Sequence, residues 1–298
     1  MKPPSIRPGD SKLFQRVCFW EKGRIPSKSF AIIGVPDDRG VAIGKGRPGA
    51  KKGPDAIRKE LYKMTLGAKG ELEKIRLYDL GNLKIAKTQK ETYQKLSDVV
   101  FKLLKQDIFP IILGGGHDLS FGSLSGFARQ FPKGGIINID PHLDCRPPER
   151  NGKYSSGSAF WQILSTTKFS GKNLCEFGFC TDCNSKKHRD FLKKKRALLV
   201  PWPGNFKKTL QKFAENKKAF ALSFDIDSVD CTEAPGVSAI NPAGFSGREA
   251  LDFVKLAVKT HKLRLFEVME TNPRFDPDHR TAKLAARLIY ELLIDSVK

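Results

Sequence analysis

The chain lacks any long apolar run. No segment approaches the roughly 18 consecutive apolar residues of a membrane-spanning helix, and the opening stretch MKPPSIRPGDSK has no apolar centre of the kind a signal peptide needs. A cytoplasmic protein with no membrane contact is therefore expected. Cysteine is also sparse: six in 298 residues cannot form the disulfide scaffold of a small secreted domain. Cys175, Cys180 and Cys183 have the C-x4-C-x2-C spacing of some iron–sulfur sites. They lack an obvious fourth ligand, and Cys175 falls inside the strand-like NLCEFGF, so reduced, structural cysteines are expected. Internal repeats, Pro/Ser-rich linkers and composition breaks are absent, which predicts one domain over residues 1–298. The Gly-rich GGGHD has no Gly-Lys-Ser/Thr ending, and Asp118 would repel phosphate, which argues against a phosphate loop.

Acidic residues are in the minority, 32 against 53 Lys and Arg, a formal net charge of +21. Residues 186–218 alone hold twelve Lys or Arg against Asp190 and Glu215, a net +10. A basic face suits nucleic acid or an acidic surface. This window reads instead as two amphipathic surface helices around the apolar ALLV, without a nucleic-acid motif, so a solvated face is expected and nucleic acid is not.

What the chain does contain is an alternation. FAIIGVP, FPIILGGG, GGIINID, LCEFGF, AFALSFDID and LRLFEVME read as strands. PDAIRKELYKM, ETYQKLSDVVFKLLKQ, SLSGFARQF, SAFWQIL, REALDFVKLAVK and TAKLAARLIYELLID between them have helical periodicity. Apolar strands joined by helical crossovers predict an α/β fold, a three-layer αβα sandwich around a mainly parallel sheet of about eight strands.

In such sheets functional groups collect beyond the carboxyl ends of the strands. Asp140, His142 and Asp144 leave the end of GGIINID on alternate residues. Asp225 and Asp227 leave the end of AFALSFDID, again two apart and so on one side of an extended chain. His117 follows FPIILGGG. A single strand-end Asp is commonly a turn former, but two imidazoles and four carboxylates at matching strand ends repel or desolvate one another unless cations lie between them. The set suits two divalent ions sharing carboxylates. Oxygen and imidazole donors without thiolate favour manganese, with Fe, Co, Ni or Zn as alternatives. Two metals of this kind lower the pKa of a water held between them, which predicts metal-assisted hydrolysis.

GGGHDLS, IDPHLDCR, SFDIDSVDCTEAPGVSA and EVMETNPRFDPDHRTAKLAARLI resemble the signatures of the ureohydrolase family of arginases, agmatinases and formimidoylglutamases. DDRGVAIGKGRPGAKKGPDAIRKEL is similar to that family's N-terminal signature, so the likeness spans roughly residues 30–292. It implies an arginase-like fold with two Mn2+ per subunit on His117, Asp140, His142, Asp144, Asp225 and Asp227, and it implies trimers or hexamers. Pro141 stands where the family usually has Ala, and Cys231 where Pro is common. Neither removes a donor atom, although Pro141 deletes an N–H and fixes one φ angle.

Within the family, guanidino hydrolases usually carry His-Gly in the loop after the second metal motif. Ser156-Gly157 in YSSGSAFWQIL, with APGVSA at 234–239, resembles the formimidoylglutamases. The implied substrate is a small amidine, N-formimino-L-glutamate, hydrolysed to L-glutamate and formamide in histidine degradation. The alternatives are a guanidino hydrolase releasing urea, or a binding protein on the same fold. Glu270 matches the family position that orients the cationic head of the substrate. Arg146 is the first candidate to clamp the substrate carboxylates and Arg39 the second. Ser156 is expected to hydrogen-bond substrate without acting as a nucleophile, and Asp144 to carry a proton from the nucleophilic water to the leaving amine. His188, His261 and His279 show no ligand spacing and are read as structural.

Overall fold

The computed structural model describes residues 5, 7 and 9–297; the leaderless reading of residues 1–12 thus lies in part outside it. Among the described residues nine strands form one sheet: β1 (Val17–Phe19), β2 (Phe30–Gly34), β3 (Leu77–Asn82), β4 (Phe109–Leu113), β5 (Gly135–Ile139), β6 (Leu174–Phe179), β7 (Leu198–Pro201), β8 (Phe220–Asp225) and β9 (Leu263–Met269). Their order is β1-β3-β2-β4-β9-β8-β5-β6-β7, with every pairing parallel. The helices are α1 (Arg39–Ile43), α2 (Gly53–Leu61), α3 (Gln89–Lys105), α4 (Ser120–Gln130), α5 (Ala159–Thr166), α6 (Lys186–Lys194), α7 (Phe206–Ala214), α8 (Gly247–Lys259) and α9 (Arg280–Ser296). No helix among the described residues is long and apolar enough to cross a membrane.

The period-2 alternation of strand side chains divides the interior into two cores. Ile32, Ile111 and Leu113 face one, with Phe213 of α7, Val254 of α8 and Leu292 of α9. Ile33 and Ile112 face the other, with Leu96 of α3, Phe127 of α4 and Ile163 of α5. Both faces of the central strands are thus covered, which is why those strands are nearly uninterrupted apolar runs. Cys175, whose spacing suggested a cluster ligand, is a fully buried core residue in β6.

All six apolar runs expected as strands are strands, and β1, β3 and β7 are added to them. β1 is three residues long and half exposed. ALLV, expected only as an apolar spacer between two helices, supplies the edge strand β7, flanked by α6 and α7 as the charge pattern predicted. β3 is hidden in the sequence by Asp79, a carboxylate in a core position. It is satisfied by a two-pronged ion pair with buried Arg58 of α2 (Nε–Oδ2 2.9 Å, Nη2–Oδ1 3.0 Å) and by the Tyr62 hydroxyl at 2.5 Å. A buried charge with this many partners is tolerable; an unpaired one would not be.

Four adjacent strands, β4, β9, β8 and β5, occupy the middle of the sheet, and their carboxyl ends define one working edge. Gly114–Gly116 make the exit from β4 fit there: a Cβ on Gly114 would lie 1.8 Å from Met269 Sδ, and one on Gly115 would lie 2.0 Å from the Asp37 carbonyl oxygen. The latter contact is backbone and cannot move aside. Gly115→Ala should therefore destabilise the fold by about 1–3 kcal/mol, as overpacking does, read as a lower denaturant midpoint with an unchanged slope.

Candidate metal centre

The six ligands expected from the sequence reach this edge from three of the four central strands, β4, β5 and β8, and β9 brings Glu270. His117 opens a single 3-10 turn, His117–Leu119, after the glycines that follow β4. Asp140, His142 and Asp144 follow β5 directly, and Asp144 takes a positive φ of 35°. Asp225 ends β8 and Asp227 stands in the next 3-10 turn, its N–H donating to Asp225 Oδ1 at 2.9 Å. Glu270 follows β9 at φ 63°, and its Oε1 accepts the His117 N–H at 2.9 Å.

The side chains converge as two groups with one shared member. Around His117 Nδ1 lie Oδ2 of Asp140 at 3.0 Å, of Asp144 at 3.1 Å and of Asp225 at 3.0 Å. Around His142 Nδ1 lie Asp140 Oδ1 at 3.3 Å and Asp227 Oδ2 at 3.5 Å. Asp140 therefore presents one oxygen to each group. Donors about 3 Å apart are neighbours on a coordination polyhedron with bonds of roughly 2.0–2.2 Å. His117 Nε2 sits 3.0 Å from Ser223 Oγ. With the ring proton on Nε2, the Nδ1 lone pair points at three carboxylate oxygens. His117 Nδ1, Asp227 Oδ1 and Glu270 Oε2 are buried without a hydrogen-bond partner among the described residues. Buried polar atoms are rarely left in that state; the donor set fits a pair of divalent cations.

Protons are drawn to the same places. Burial opposes charge on His117, yet Asp140, Asp144 and Asp225 together raise its pKa well above the ordinary value. His142 is lifted to about 9, burial again being outweighed, here mainly by Asp140. Burial and the charge of Asp140 push Asp144 up to about 6. Burial and Asp225 raise both Asp227 and Glu270 well above the carboxylate range. Asp140 alone goes down, to about 2, because the two imidazoles beside it, once protonated, outweigh its burial.

The centre lines a cavity of about 420 Å³ that also holds Arg146, Ser156 and Glu270. Arg146 is exposed, and its N–H donates to the Gly157 carbonyl at 2.8 Å, tying the two loops together. Arg39 is not brought to the cavity. Its guanidinium is held by both oxygens of Asp37 (2.9, 3.0 and 2.6 Å), by the Lys87 carbonyl and by Thr92 Oγ1. The expectation of Arg39 as a second clamp is corrected accordingly: an acidic neighbour two residues away takes its fork. Lys45, Asn184, His188 and Ser238 line the cavity and were not singled out as site residues. Lys45 and Ser238 carried a signal, the first in the Gly-rich GKGR turn and the second inside APGVSA. His188, read as structural, is on the cavity wall, its pKa lowered by burial and by Arg146.

Pro141, the departure between the first two ligands, leaves its carbonyl to receive Cys180 N–H at 2.8 Å and Asn184 Nδ2 at 2.7 Å. Asn184 Oδ1 accepts Leu143 N–H at 2.9 Å, so one side chain clips both sides of His142.

The arginase family profile matches residues 28–294. The formimidoylglutamase of Clostridium tetani is 32% identical over 287 residues, covering 89% of this chain and 82% of that protein. That of Staphylococcus aureus strain MRSA252 is 30% identical over 306 residues, covering 98% and 94%. The crystal structure of Trypanosoma cruzi formiminoglutamase with Mn2+2 superposes with a TM-score of 0.89 at 31% identity, covering 97% of this chain and 99% of that one. With its fold, its paired ligand groups and a match over nearly all its length, this chain belongs to the arginase family.

Proposed function

We propose that the protein is a formimidoylglutamase that hydrolyses N-formimino-L-glutamate on a pair of Mn2+ ions. The observation that carries this reading is the pair of donor groups sharing Asp140, set in a cavity with Glu270 at its inner end and Arg146 at its exposed rim. His117, Asp140, Asp144 and Asp225 would hold one ion; Asp140, His142 and Asp227 would hold the other. When bound, the ions would supply an activated water at neutral pH and would stabilise negative charge on the oxygen that adds to the carbon.

The remaining work falls to the side chains. Glu270 Oε1 is fixed by the His117 N–H, leaving Oε2 to accept hydrogen bonds from the cationic formamidinium. An arriving cation favours the ionised form of a carboxyl that burial otherwise raises. Asp144 Oδ1 lies toward Gly157 and the cavity, where it accepts a proton and passes it to the departing amine. Water adds to the formimino carbon, the bond from that carbon to the glutamate nitrogen breaks, and formamide and the glutamate ammonium leave. Arg146 offers a planar fork for a substrate carboxylate, and Ser156 offers a hydroxyl. The reading includes a cytoplasmic, homo-oligomeric enzyme of histidine degradation without a nucleic-acid partner.

Mn2+-loaded protein offered N-formimino-L-glutamate, L-arginine, agmatine and guanidino acids should release formamide from the first alone; urea from any guanidine would sink the substrate assignment. Asp140→Ala and Asp225→Ala should each lower turnover by more than ~100-fold and reduce bound manganese, since each removes a direct ligand. Arg146→Ala should raise KM by about 10-fold or more, the order of one charge-assisted pair, with manganese content unchanged.

The pKa shifts predict a pH-dependent response to metal. His117 and His142 have raised folded values, so their contribution to metal-free stability is complete below the unfolded value of about 6.5 and is lost as pH climbs through the folded ones, about 9 for His142. Asp144, at about 6, and Asp227 also retain protons that the unfolded chain releases. Asp140 acts oppositely only under acid conditions. Metal-free protein should therefore lose stability between about pH 5 and 9, and the Mn2+-induced rise in Tm should grow over that range with proton release on binding. An increment independent of pH would contradict this.

A further inference from the structure

A second set of convergent donors stands just outside the dimetal site. The loop between β6 and α6 carries Cys180, Asp182 and Cys183, and the two Sγ atoms and a carboxylate oxygen of Asp182 all lie within 4.8 Å of one another. Cys183 and Asp182 are exposed and Cys180 is half-buried, with both cysteines free. They open onto a groove of about 490 Å³ walled by Pro141, Trp202, Pro203, Ile240 and Asn241, so an ion can enter from solvent.

The loop is held in place before any ligand arrives. Asn184 Nδ2 donates to the carbonyls of Pro141 and Cys180, each at 2.7 Å, and lies 3.4 Å from Cys183 Sγ. Cys180 N–H donates to the Pro141 carbonyl at 2.8 Å. Binding there pays little ordering entropy. Each thiol gives up its proton as the cation binds.

Two thiolates and one carboxylate form a donor set unlike the oxygen and imidazole set next to it. Soft sulfur disfavours Mn2+, Mg2+ and Ca2+ and favours Zn2+ and its thiophilic neighbours. Three protein ligands with one open position is a familiar zinc arrangement. We propose that Cys180, Asp182 and Cys183 form a third cation site, for one thiophilic divalent ion of the Zn2+ class, with water as the fourth ligand. The chain thus sorts metals by donor softness, manganese-type ions on the strand ends and zinc-type ions on the loop.

The test uses full-length protein, reduced and then saturated with Mn2+, with Cd2+ as the probe. An ultraviolet thiolate-to-Cd2+ charge-transfer band should grow and saturate at roughly one equivalent; oxygen and imidazole ligands give no such band. Cys180→Ser and Cys183→Ser should each abolish it while keeping the Tm and manganese content of the parent. Asp182→Asn should weaken Cd2+ binding by at least ~10-fold. If Cys180→Ser fails to fold, the exposed Cys183 carries the same test. No band in the parent protein would overturn the proposal. So would a band undiminished in both serine variants, which would put the ion on Cys18 or Cys231. Protein never exposed to reductant that, once unfolded, titrates two thiols short of its six cysteines and loses that deficit in Cys183→Ser would overturn it as well, because the pair would then be a disulfide.

Discussion

Repulsion among buried carboxylates is the constraint on which this molecule turns. Asp140, Asp144 and Asp225 crowd one imidazole nitrogen at about 3 Å, and Asp227 and Glu270 add two further buried acids. Without positive charge between them such a cluster would push its strand ends apart or fill with protons. The scaffold holds the acids together with contacts made largely away from the cation positions. Ser228 Oγ bridges the carbonyls of Ile139 and Asp225, joining the ends of β5 and β8. The Glu270 N–H donates to the Gly115 carbonyl and joins β9 to β4. The four strands cannot splay, so the charge is met by cations, or by protons where no metal is bound.

Outside the ligands lies a ring of buried groups that set their orientation. Ser223 fixes the His117 ring through Nε2, and Phe160 of α5 meets the same ring edge-on, 5.8 Å between centroids. Asn138 reaches Glu176 at 2.8 Å behind Asp140. Outer contacts of this kind hold a metal ligand in one rotamer and tune its basicity. They also explain why α5 is placed against the site: Phe160 N–H is bound to the Asp144 carbonyl at 2.9 Å, so the loop carrying Ser156 and the loop carrying Asp144 move as one.

The sequence was most legible where one side chain states its own environment. Apolar runs announced six of the nine strands, and paired acids at strand ends announced the ligands, because strand direction and two-residue spacing suffice to bring them together. Elements whose logic needs a distant partner were harder to read. β3 carries Asp79 in a core position, and nothing local reveals that Arg58 and Tyr62 satisfy it. Arg39 looked available because its partner Asp37 is a neighbour whose orientation depends on the turn between them. His188 reached the cavity wall only through the way α6 is docked. Lys45 and Ser238 come from loops that pass over the centre, braced by Arg47, whose guanidinium binds the carbonyls of Val237 and Ser238.

The strand order ties the closing of the sheet to the completion of the site. Among the described residues β8 and β9 are the last strands in the chain, yet they lie in the interior of the sheet, between β4 and β5. Without β8 and β9 the sheet would fall into two halves, β1-β3-β2-β4 and β5-β6-β7, whose inner edges, both apolar, face no partner. Unpaired apolar edges of that kind are sticky. Asp225 and Asp227, one in each ligand group, come with β8, so the strand that joins the two halves of the sheet is also the one that completes both cation sites.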